Sequence, residues 1–289
     1  MCPSPTRPSA QRVGRVLVTG ASGNVGRHVV SSLAAAGQEV RAFVRDPDKA
    51  PVADGVEVVS GDLTSPQTLV PALREVDRVF LVWPGLPVDA GVVDAIADHA
   101  SRVVYLSTDV SDLADDEPAT SFHQEIERLI RKSGSSWTFV RPIDFATNTL
   151  AWAGQIREAV VRLPYGRASR SLIHERDIAE VVTHVLTSPG HDGAKYVITG
   201  PESIPQAELA RIIGEVIGRD VRWEDLPLDA AREQLTAAWG NAEFVEARLK
   251  AWRSFVGSPE RVTETVERLL GRPARTFRSW AEEHAADFR

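Results

Sequence analysis

Apolar and polar positions alternate in blocks along residues 15–140. Short runs rich in β-branched residues are separated by longer stretches whose apolar positions recur at helical spacing. Continuous apolar runs are typical of strands buried on both faces, and strands that alternate with helices indicate βαβ units. We therefore predict an α/β protein with a doubly wound, parallel Rossmann-type sheet.

The bounds of the individual strands and helices are set by where each apolar run or helical pattern begins and ends. Strands are predicted at 16–18, 40–44, 56–59, 79–82, 103–106 and 137–140. Helices are predicted between them at 25–36, 66–74, 88–99 and 120–131. Parallel strands need crossover connections of this kind, so the order of the elements supports the predicted sheet.

The rhythm changes after residue 142. A helix is predicted at 148–161, a turn at 164–166 and a short strand at 171–173. Asp177 is interpreted as the N-cap of a helix that runs to residue 186, and 196–198 as the last strand of the sheet. From residue 206 onward the pattern is mostly helical. The later part of the chain also holds most of the tryptophans, namely Trp152, Trp223, Trp239, Trp252 and Trp280.

Composition and charge narrow the class of partner. The chain has 33 basic and 40 acidic residues and a net charge of -7, which argues against nucleic acid as the main ligand. It has no apolar run of about 18 residues and no apolar leader, so we predict neither a membrane partner nor a signal peptide. Cys2 is the only cysteine, which excludes an intramolecular disulfide and a cysteine metal cage. We expect a cytoplasmic protein that binds a small molecule and no metal, with a homodimer left open.

A glycine-rich segment follows the first predicted strand and opens the first predicted helix. It reads Thr19-Gly20-Ala21-Ser22-Gly23-Asn24-Val25-Gly26. In a dinucleotide-binding loop the three glycines permit a tight turn, close approach of the pyrophosphate and packing of the helix on the strand. The helix start offers unpaired N–H groups to the anion. Cofactor contacts are therefore predicted for Thr19, Gly20, Ser22, Gly23, Asn24, Val25 and Gly26. The alternative is a plain βα turn that contains three glycines.

The end of the second strand indicates which dinucleotide binds. Arg45 stands where folds that prefer NAD place an acidic residue against the ribose. A guanidinium can pair with a 2′-phosphate, and Lys49 can add a second positive charge, so we predict NADP(H). Asp62 and Leu63 follow the third strand and are candidates for the adenine edge. Trp83 follows the fourth strand and is a candidate wall of the pocket. The alternatives are a solvated strand end for Arg45, a surface turn for Asp62 and a core role for Trp83.

Four segments together resemble the NmrA-like family of atypical short-chain dehydrogenases/reductases. They are the glycine loop, Val44-Arg45-Asp46-Pro47, Trp137-Thr138-Phe139-Val140-Arg141-Pro142 with Phe145 and Asn148, and Ile173-His174-Glu175-Arg176-Asp177-Ile178-Ala179. The resemblance implies a Rossmann core, a small C-terminal substrate part and a cofactor cleft at the carboxyl ends of the strands. It leaves the reaction open, because the family includes NADPH-dependent reductases, quinone oxidoreductases and regulators that only sense the cofactor.

The domain organisation follows from the pattern and the resemblance together. We predict a disordered tail at 1–12 and an NADP-binding domain at 13–150 that is completed by 171–199. Residues 151–170 and 200–289 are predicted to form the substrate-binding part.

The acid–base pair of orthodox members of the superfamily is absent. That pair is Tyr-x-x-x-Lys, in which the lysine lowers the pKa of the phenol. The chain has three tyrosines, Tyr105, Tyr165 and Tyr196, and none is followed by lysine at the fourth position. A different group must therefore handle any proton.

His123 and Glu127 are the replacement candidates. They share one face of a predicted helix at i,i+4 spacing, and the segment resembles the His-x-x-x-Glu arrangement of quinone-reductase-like members of the family. An imidazole titrates near neutral pH, and Glu127 can orient or charge it. Ser107 ends the fifth strand and can hydrogen-bond a substrate carbonyl. The alternatives are a surface pair for the first two residues and a turn or cap for Ser107.

The substrate side is less determined by the sequence. By resemblance, Phe145 and Asn148 line the cleft, and Tyr165 is a further candidate from the second part. His174, Glu175 and Asp177 are interpreted as a structural joint between a strand and a helix.

A reaction can proceed without the missing pair. Quinones and conjugated carbonyl compounds accept hydride readily, because the charge delocalises onto their own oxygens. We predict an NADPH-dependent oxidoreductase that acts on a quinone-like or conjugated carbonyl compound, so we expect the substrate to be aromatic or conjugated. The alternatives are a non-catalytic NADP(H)-sensing regulator and a non-redox cyclase or isomerase with His123 or Asp144 as base.

Overall fold

The computed structural model describes residues 14–50, 54–114 and 117–289. The predicted tail at 1–12, Cys2 and the Lys49 side chain lie outside the described part of the chain. None of the described helices combines the length and the apolar character that a membrane span requires.

Strands and helices alternate through the first two thirds of the chain. The strands are β1 (Arg15–Thr19), β2 (Val40–Val44), β3 (Glu57–Ser60), β4 (Val76–Val82), β5 (Arg102–Leu106), β6 (Ser136–Pro142), β7 (Val160–Leu163), β8 (Ser169–Arg170), β9 (Ala194–Ile198), β10 (Ile204–Pro205) and β11 (Arg222–Asp225). The helices are α1 (Gly26–Ala35), α2 (Leu69–Ala72), α3 (Ala90–Ala97), α4 (Phe122–Lys132), α5 (Ala153–Arg157), α6 (Glu175–Thr187), α7 (Gln206–Ile217), α8 (Leu228–Trp239), α9 (Ala242–Ser254), α10 (Thr265–Leu270), α11 (Phe277–Glu283) and α12 (Ala285–Phe288). Short 3₁₀ helices lie at Pro47–Lys49, Pro66–Thr68 and Ala146–Trp152.

The central sheet has seven parallel strands in the order β3-β2-β1-β4-β5-β6-β9. The predicted Rossmann-type sheet is therefore confirmed. Side chains alternate between its two faces: Val16 and Val18 pack with α1 and α6, whereas Leu17 packs with α2 and α3. Because helices cover both faces, the strands are apolar throughout, and this is why their sequences are continuous apolar runs.

A second apolar cluster forms the C-terminal layer. It gathers Trp152, Ile156, Trp252, Trp280 and Phe288 with side chains of α7 to α9, away from the central sheet. Two small sheets brace this layer, one from β7 and β11 in parallel and one from β8 and β10 antiparallel. The mostly helical C-terminal part is confirmed, although α10 returns to the central sheet, where Val266 packs in the cluster of α1 and α6.

The predicted helix at 148–161 is confirmed as helical at 148–157 and is wrong for the residues that follow. The segment begins as a 3₁₀ helix, continues as the short α5 and then turns into β7. Ala159 adopts a left-handed conformation with φ 59°, which ends the helix. The next residues, Val160 and Val161, pair with Arg222 and Trp223 of β11. This pairing partner lies far away in sequence, so a local pattern could not reveal it.

Two smaller predictions around α6 are also wrong. The predicted strand at 171–173 lies earlier, at β8, and Ile173 makes only an isolated bridge to Phe145. The N-cap of α6 is His174, whose ring accepts from the Arg176 N–H at 3.2 Å. Asp177 lies in the first turn instead, where its buried carboxylate binds the guanidiniums of Arg272 and Arg275.

Candidate functional site

The glycine loop has the geometry of a phosphate cradle. Gly20 has φ +60° and its carbonyl accepts from the Gly23 N–H at 2.9 Å, which closes the turn. A Cβ on Gly26 would lie 2.0 Å from the Gly20 carbonyl oxygen, so only glycine fits there. Ser22, Gly23 and Asn24 are exposed on the outside of the turn.

The start of α1 suits an anion. Its N-cap, Val25, has no side-chain acceptor for the first N–H groups, and the first turn contains no acidic residue. The N–H groups at the start of a helix attract a phosphate when no side chain satisfies them. The residues present therefore fit the pyrophosphate of a dinucleotide.

Thr19 has a structural position beneath this loop. Its hydroxyl is buried, accepts from the Val82 N–H at 2.8 Å and lies 3.3 Å from the Phe80 carbonyl oxygen, to which it can donate. The side chain thus ties β1 to β4 just before the turn. Thr19 therefore shapes the loop from beneath.

The predicted adenosine end lies where β2 and β3 stop. Arg45 is exposed directly after β2, and Asp62 follows β3. The Thr64 N–H donates to Asp62 at 2.9 Å and is the main reason that the pKa of Asp62 is lowered, with a smaller contribution from the charge of Arg45. Arg45 and Asp62 are thus neighbours. Leu63 is buried in the core beside them.

Trp83 is a core residue in the structure. Only 5 % of it is exposed, it packs with the α2 and α3 face, and its indole N–H donates to the Leu86 carbonyl at 2.9 Å. This position favours the core alternative for Trp83 over a pocket wall.

His123 and Glu127 have separate partners. His123 Nδ1 lies 2.8 Å from the Tyr105 hydroxyl, and burial lowers the pKa of His123 to about 4. The Glu127 carboxylate accepts two hydrogen bonds from buried Arg141, at 2.9 and 2.5 Å. The expectation that Glu127 orients or charges His123 is therefore wrong, because the Arg141 guanidinium at the end of β6 takes both carboxylate oxygens. His123 is neutral at pH 7 and is a poor general acid there.

Ser107 occupies the carboxyl end of β5 with an unused hydroxyl. It is 3 % exposed and its N–H donates to the Val140 carbonyl at 2.8 Å, but Oγ has no hydrogen-bond partner within 14–50, 54–114 and 117–289. Buried polar groups in native proteins are normally satisfied. The unsatisfied Oγ of Ser107 at this edge of the sheet keeps this residue a candidate donor.

A cavity of about 350 Å³ opens beside the segment that follows β6. This volume lies in the range of small-molecule sites. Asp144 and Asn148 contribute polar groups from that segment, and α8 and α9 contribute much of the apolar wall. The apolar wall residues are Ala151, Trp152, Leu163, Leu172, Leu209, Leu235, Ala238, Trp239, Phe244 and Trp252.

The other two predicted substrate residues lie elsewhere. Phe145 packs against the apolar cluster of α1 and α6. Tyr165 lines a separate, shallower pocket with Arg167 and Asp225. Of the three, only Asn148 lines the larger cavity.

Asp144 is held as a carboxylate at the base of this cavity. It accepts from Asn148 and Arg170, from the Phe145 N–H at 2.9 Å and from Arg248 at 2.9 Å. Burial by itself would raise the pKa of Asp144, but the charges of Arg248 and Arg170 outweigh it and the pKa is lowered. A carboxylate with four donors is a weak base, which speaks against Asp144 as the base of a cyclase or isomerase.

Sequence reasoning missed the cavity residues of the C-terminal layer. Arg170 and Arg248 come from distant segments and meet at Asp144, and no motif marks either one. The i,i+4 spacing of Phe244, Arg248 and Trp252 on one helix was the available signal, together with the abundance of tryptophan.

Solved structures with the same fold include both reductases and epimerases. The NADPH-dependent quinone oxidoreductase of Escherichia coli, complexed with NADPH, superposes with a TM-score of 0.76 at 22% identity, covering 93% of this chain and 99% of that one. The triphenylmethane reductase of Citrobacter sp., complexed with NADP(H), gives a TM-score of 0.75 at 23% identity with the same coverage. At these identities the likeness concerns the fold.

Sequence relatives extend over nearly the whole chain. The (4-alkanoyl-5-oxo-2,5-dihydrofuran-3-yl)methyl phosphate reductase of Streptomyces griseus is 44% identical over 280 residues, covering 94% of this chain and 99% of the relative. The NAD(P)H azoreductase of Xenophilus azovorans is 35% identical over 285 residues, again covering 94% and 99%. These names agree with the predicted enzyme class and cofactor. The family model of the NmrA-like family matches residues 13–264, and the chain therefore belongs to the NmrA-like family, as its motifs predicted.

Proposed function

We propose that the chain is an NADPH-dependent reductase of a conjugated carbonyl compound, namely an alkanoyl-substituted unsaturated lactone that carries a phosphate. The observation that carries this proposal is the largely apolar cavity beside the carboxyl end of β6. In open α/β sheets, ligands bind at the edge formed by the carboxyl ends of the strands. The glycine loop, which follows β1, lies at the same edge. The chain's 44% identity to a reductase of such a lactone phosphate supports the choice of substrate.

The cofactor is held by the loop and by the end of β2. We expect the N–H groups of Ser22, Asn24, Val25 and Gly26 to bind the pyrophosphate and Arg45 to pair with the 2′-phosphate. The cofactor supplies a hydride when it is bound.

The substrate itself provides the electron sink. In a 4-alkanoyl-5-oxo-dihydrofuran the ring double bond is conjugated to two carbonyl groups, so hydride adds to the ring carbon that bears the phosphorylated methyl group. The electron pair of the double bond moves onto the carbonyl oxygens, and a proton then adds to the neighbouring ring carbon. We expect the free hydroxyl of Ser107 to donate a hydrogen bond to a carbonyl oxygen, which stabilises the developing charge.

The missing Tyr-x-x-x-Lys pair is consistent with this chemistry. An enolate that is delocalised over two carbonyl groups takes its proton from water without a protein acid of matched pKa. His123, with its pKa of about 4, is not needed for that step and is expected to support the fold through Tyr105.

A cofactor titration and an acceptor panel test the proposal. Calorimetry with NADPH and NADH measures binding, and the loss of NADPH absorbance measures turnover with the lactone phosphate, its dephosphorylated form, quinones and an azo dye. We expect tighter binding of NADPH than of NADH and the highest kcat/KM with the lactone phosphate. Binding of neither dinucleotide, or turnover of no acceptor, would refute the proposal.

A further inference from the structure

Helix α9 places two residues that carry hydrogen-bond donors on the cavity wall, one turn apart. Arg248 and Trp252 both line the cavity wall at i,i+4 spacing. Trp252 is 6 % exposed, and its indole N–H is buried and has no hydrogen-bond partner anywhere in the described part of the chain. An indole can only donate, so this group calls for an acceptor from a ligand.

Arg248 is the cation of the cavity that can turn toward a ligand. Its side chain is 26 % exposed and gives one hydrogen bond, at 2.9 Å, to Asp144. Arg170, by contrast, is 4 % exposed and lies between the carboxylates of Asp144 and Glu260. Arg170 is neutralised by two carboxylates, whereas Arg248 contacts, among the described residues, only one carboxylate oxygen, that of Asp144.

Asp144 does not depend on Arg248 for its hydrogen bonds. Asn148, Arg170 and the Phe145 N–H also donate to it. The guanidinium of Arg248 can therefore offer its remaining N–H groups as a fork to an anion while the carboxylate stays satisfied.

We propose that Arg248 and the indole N–H of Trp252 form an anion subsite that takes the phosphate monoester of the substrate. This inference rests on the proposed function and deepens it. A phosphate has several acceptor oxygens, so one can accept from Trp252 while two accept from the Arg248 fork.

The position of the subsite also serves the reaction. Arg248 binds Asp144, which follows β6 after a single residue, so the anion lies near the carboxyl edge of the sheet. In the named lactone phosphate a single methylene and the ester oxygen separate the phosphate from the ring carbon that accepts hydride. Fixing the phosphate therefore also fixes the reacting carbon, and Arg248 and Trp252 determine both specificity and orientation.

The test compares phosphorylated and dephosphorylated lactone. The measured quantity is the ratio of kcat/KM for the two substrates in the wild type and in Arg248→Gln, Trp252→Phe and Arg253→Gln. Arg253 is exposed on the same helix and does not line the cavity, so its variant is the matched control. We expect Arg248→Gln to lower the ratio at least about tenfold and Trp252→Phe about threefold, while Arg253→Gln keeps it.

A binding measurement separates this inference from the proposed function. Inorganic phosphate should inhibit the wild type competitively against the lactone phosphate, and calorimetry should show that Arg248→Gln weakens binding of the lactone phosphate even if turnover fails. A wild type that reduces both lactones equally well, or a ratio that Arg248→Gln leaves unchanged, overturns the subsite but leaves the reductase intact. A wild type that turns over neither lactone, but binds the lactone phosphate more tightly than Arg248→Gln does, overturns the reductase and keeps the subsite.

Discussion

The layer around the central sheet, which we propose binds the nucleotide, and the C-terminal layer build their candidate sites from different parts of the chain. In the first, seven parallel strands place their carboxyl ends at one edge, and the proposed cofactor contacts come mainly from the backbone of one glycine turn. In the second, side chains from several segments far apart in sequence surround a cavity, and buried ion pairs at Asp144 fix their arrangement. We propose from this difference that the sheet positions the cofactor and that the C-terminal layer determines which substrate binds.

The largest expected effect is in the glycine turn. In Gly26→Val the added side chain would collide with the Gly20 backbone, which cannot give way like a flexible side chain. We expect NADPH affinity to fall at least about 100-fold, close to 3 kcal/mol, as measured by calorimetry. Gly154→Ala in α5 is the control from the other layer, because its Cβ would meet no atom within 4 Å. If the Gly26→Val protein folds and binds NADPH with wild-type affinity, the backbone of the glycine turn does not hold the cofactor.

The next effect concerns the charges beneath the cavity. Asp144→Asn leaves buried Arg170 with one carboxylate and Arg248 with none. We expect the free energy of unfolding in denaturant to fall by about 3 kcal/mol, with NADPH affinity nearly unchanged. If the free energy of NADPH binding fell as much as the free energy of unfolding, the ion pairs of the C-terminal layer would also support the cofactor site, which contradicts the proposed division.

The pH dependence of stability has a definite sign at this site. The pKa of Asp144 is lowered in the folded protein, so its ion pairs stabilise the fold above the pKa of the unfolded chain, and this stabilisation is lost as pH falls through the folded value. The wild type should therefore lose more stability in acid than Asp144→Asn does. Equal acid sensitivity of the two proteins, measured by denaturant melts at several pH values, would contradict this.

A smaller effect is expected for cofactor choice. Arg45→Glu places a negative charge where the 2′-phosphate is proposed to bind. We expect the preference for NADPH over NADH to fall about 30-fold, near 2 kcal/mol, while substrate specificity stays the same. Calorimetry with both dinucleotides measures this preference. If the variant changes substrate specificity instead, the sheet does not act on the cofactor alone, and the proposed division between the layers is wrong.

The smallest effect is expected at His123. Its pKa is lowered to about 4, so the neutral ring favours the fold, and this contribution is lost as pH falls from the unfolded pKa of about 6.5 toward 4. His123→Gln should remove that part of the pH dependence of stability and alter kcat at pH 7 by less than about threefold. NMR titration of the imidazole checks the pKa directly. A pKa near 7, with a large loss of kcat, would restore His123 as an acid.

The two layers also differ in how far the sequence predicts them. The glycine turn, the parallel strands and Arg45 follow from local patterns, because strand, turn and helix are neighbours in the chain. The β7 strand, the cavity wall and the meeting of Arg170 with Arg248 depend on contacts between distant segments, so the local pattern at 148–161 predicted a helix instead. His123 and Glu127 have the right spacing to interact, but Arg141 competes for Glu127 from another strand.

Isotope transfer tests the central claim most directly. The lactone phosphate is incubated with NADPH that carries deuterium at the transferred position, and the product is analysed by mass spectrometry and NMR. We predict one deuterium per product, bound to the ring carbon that bears the phosphorylated methyl group. NADPH that stays unoxidised, or a reduced product without deuterium at that carbon, would contradict the account.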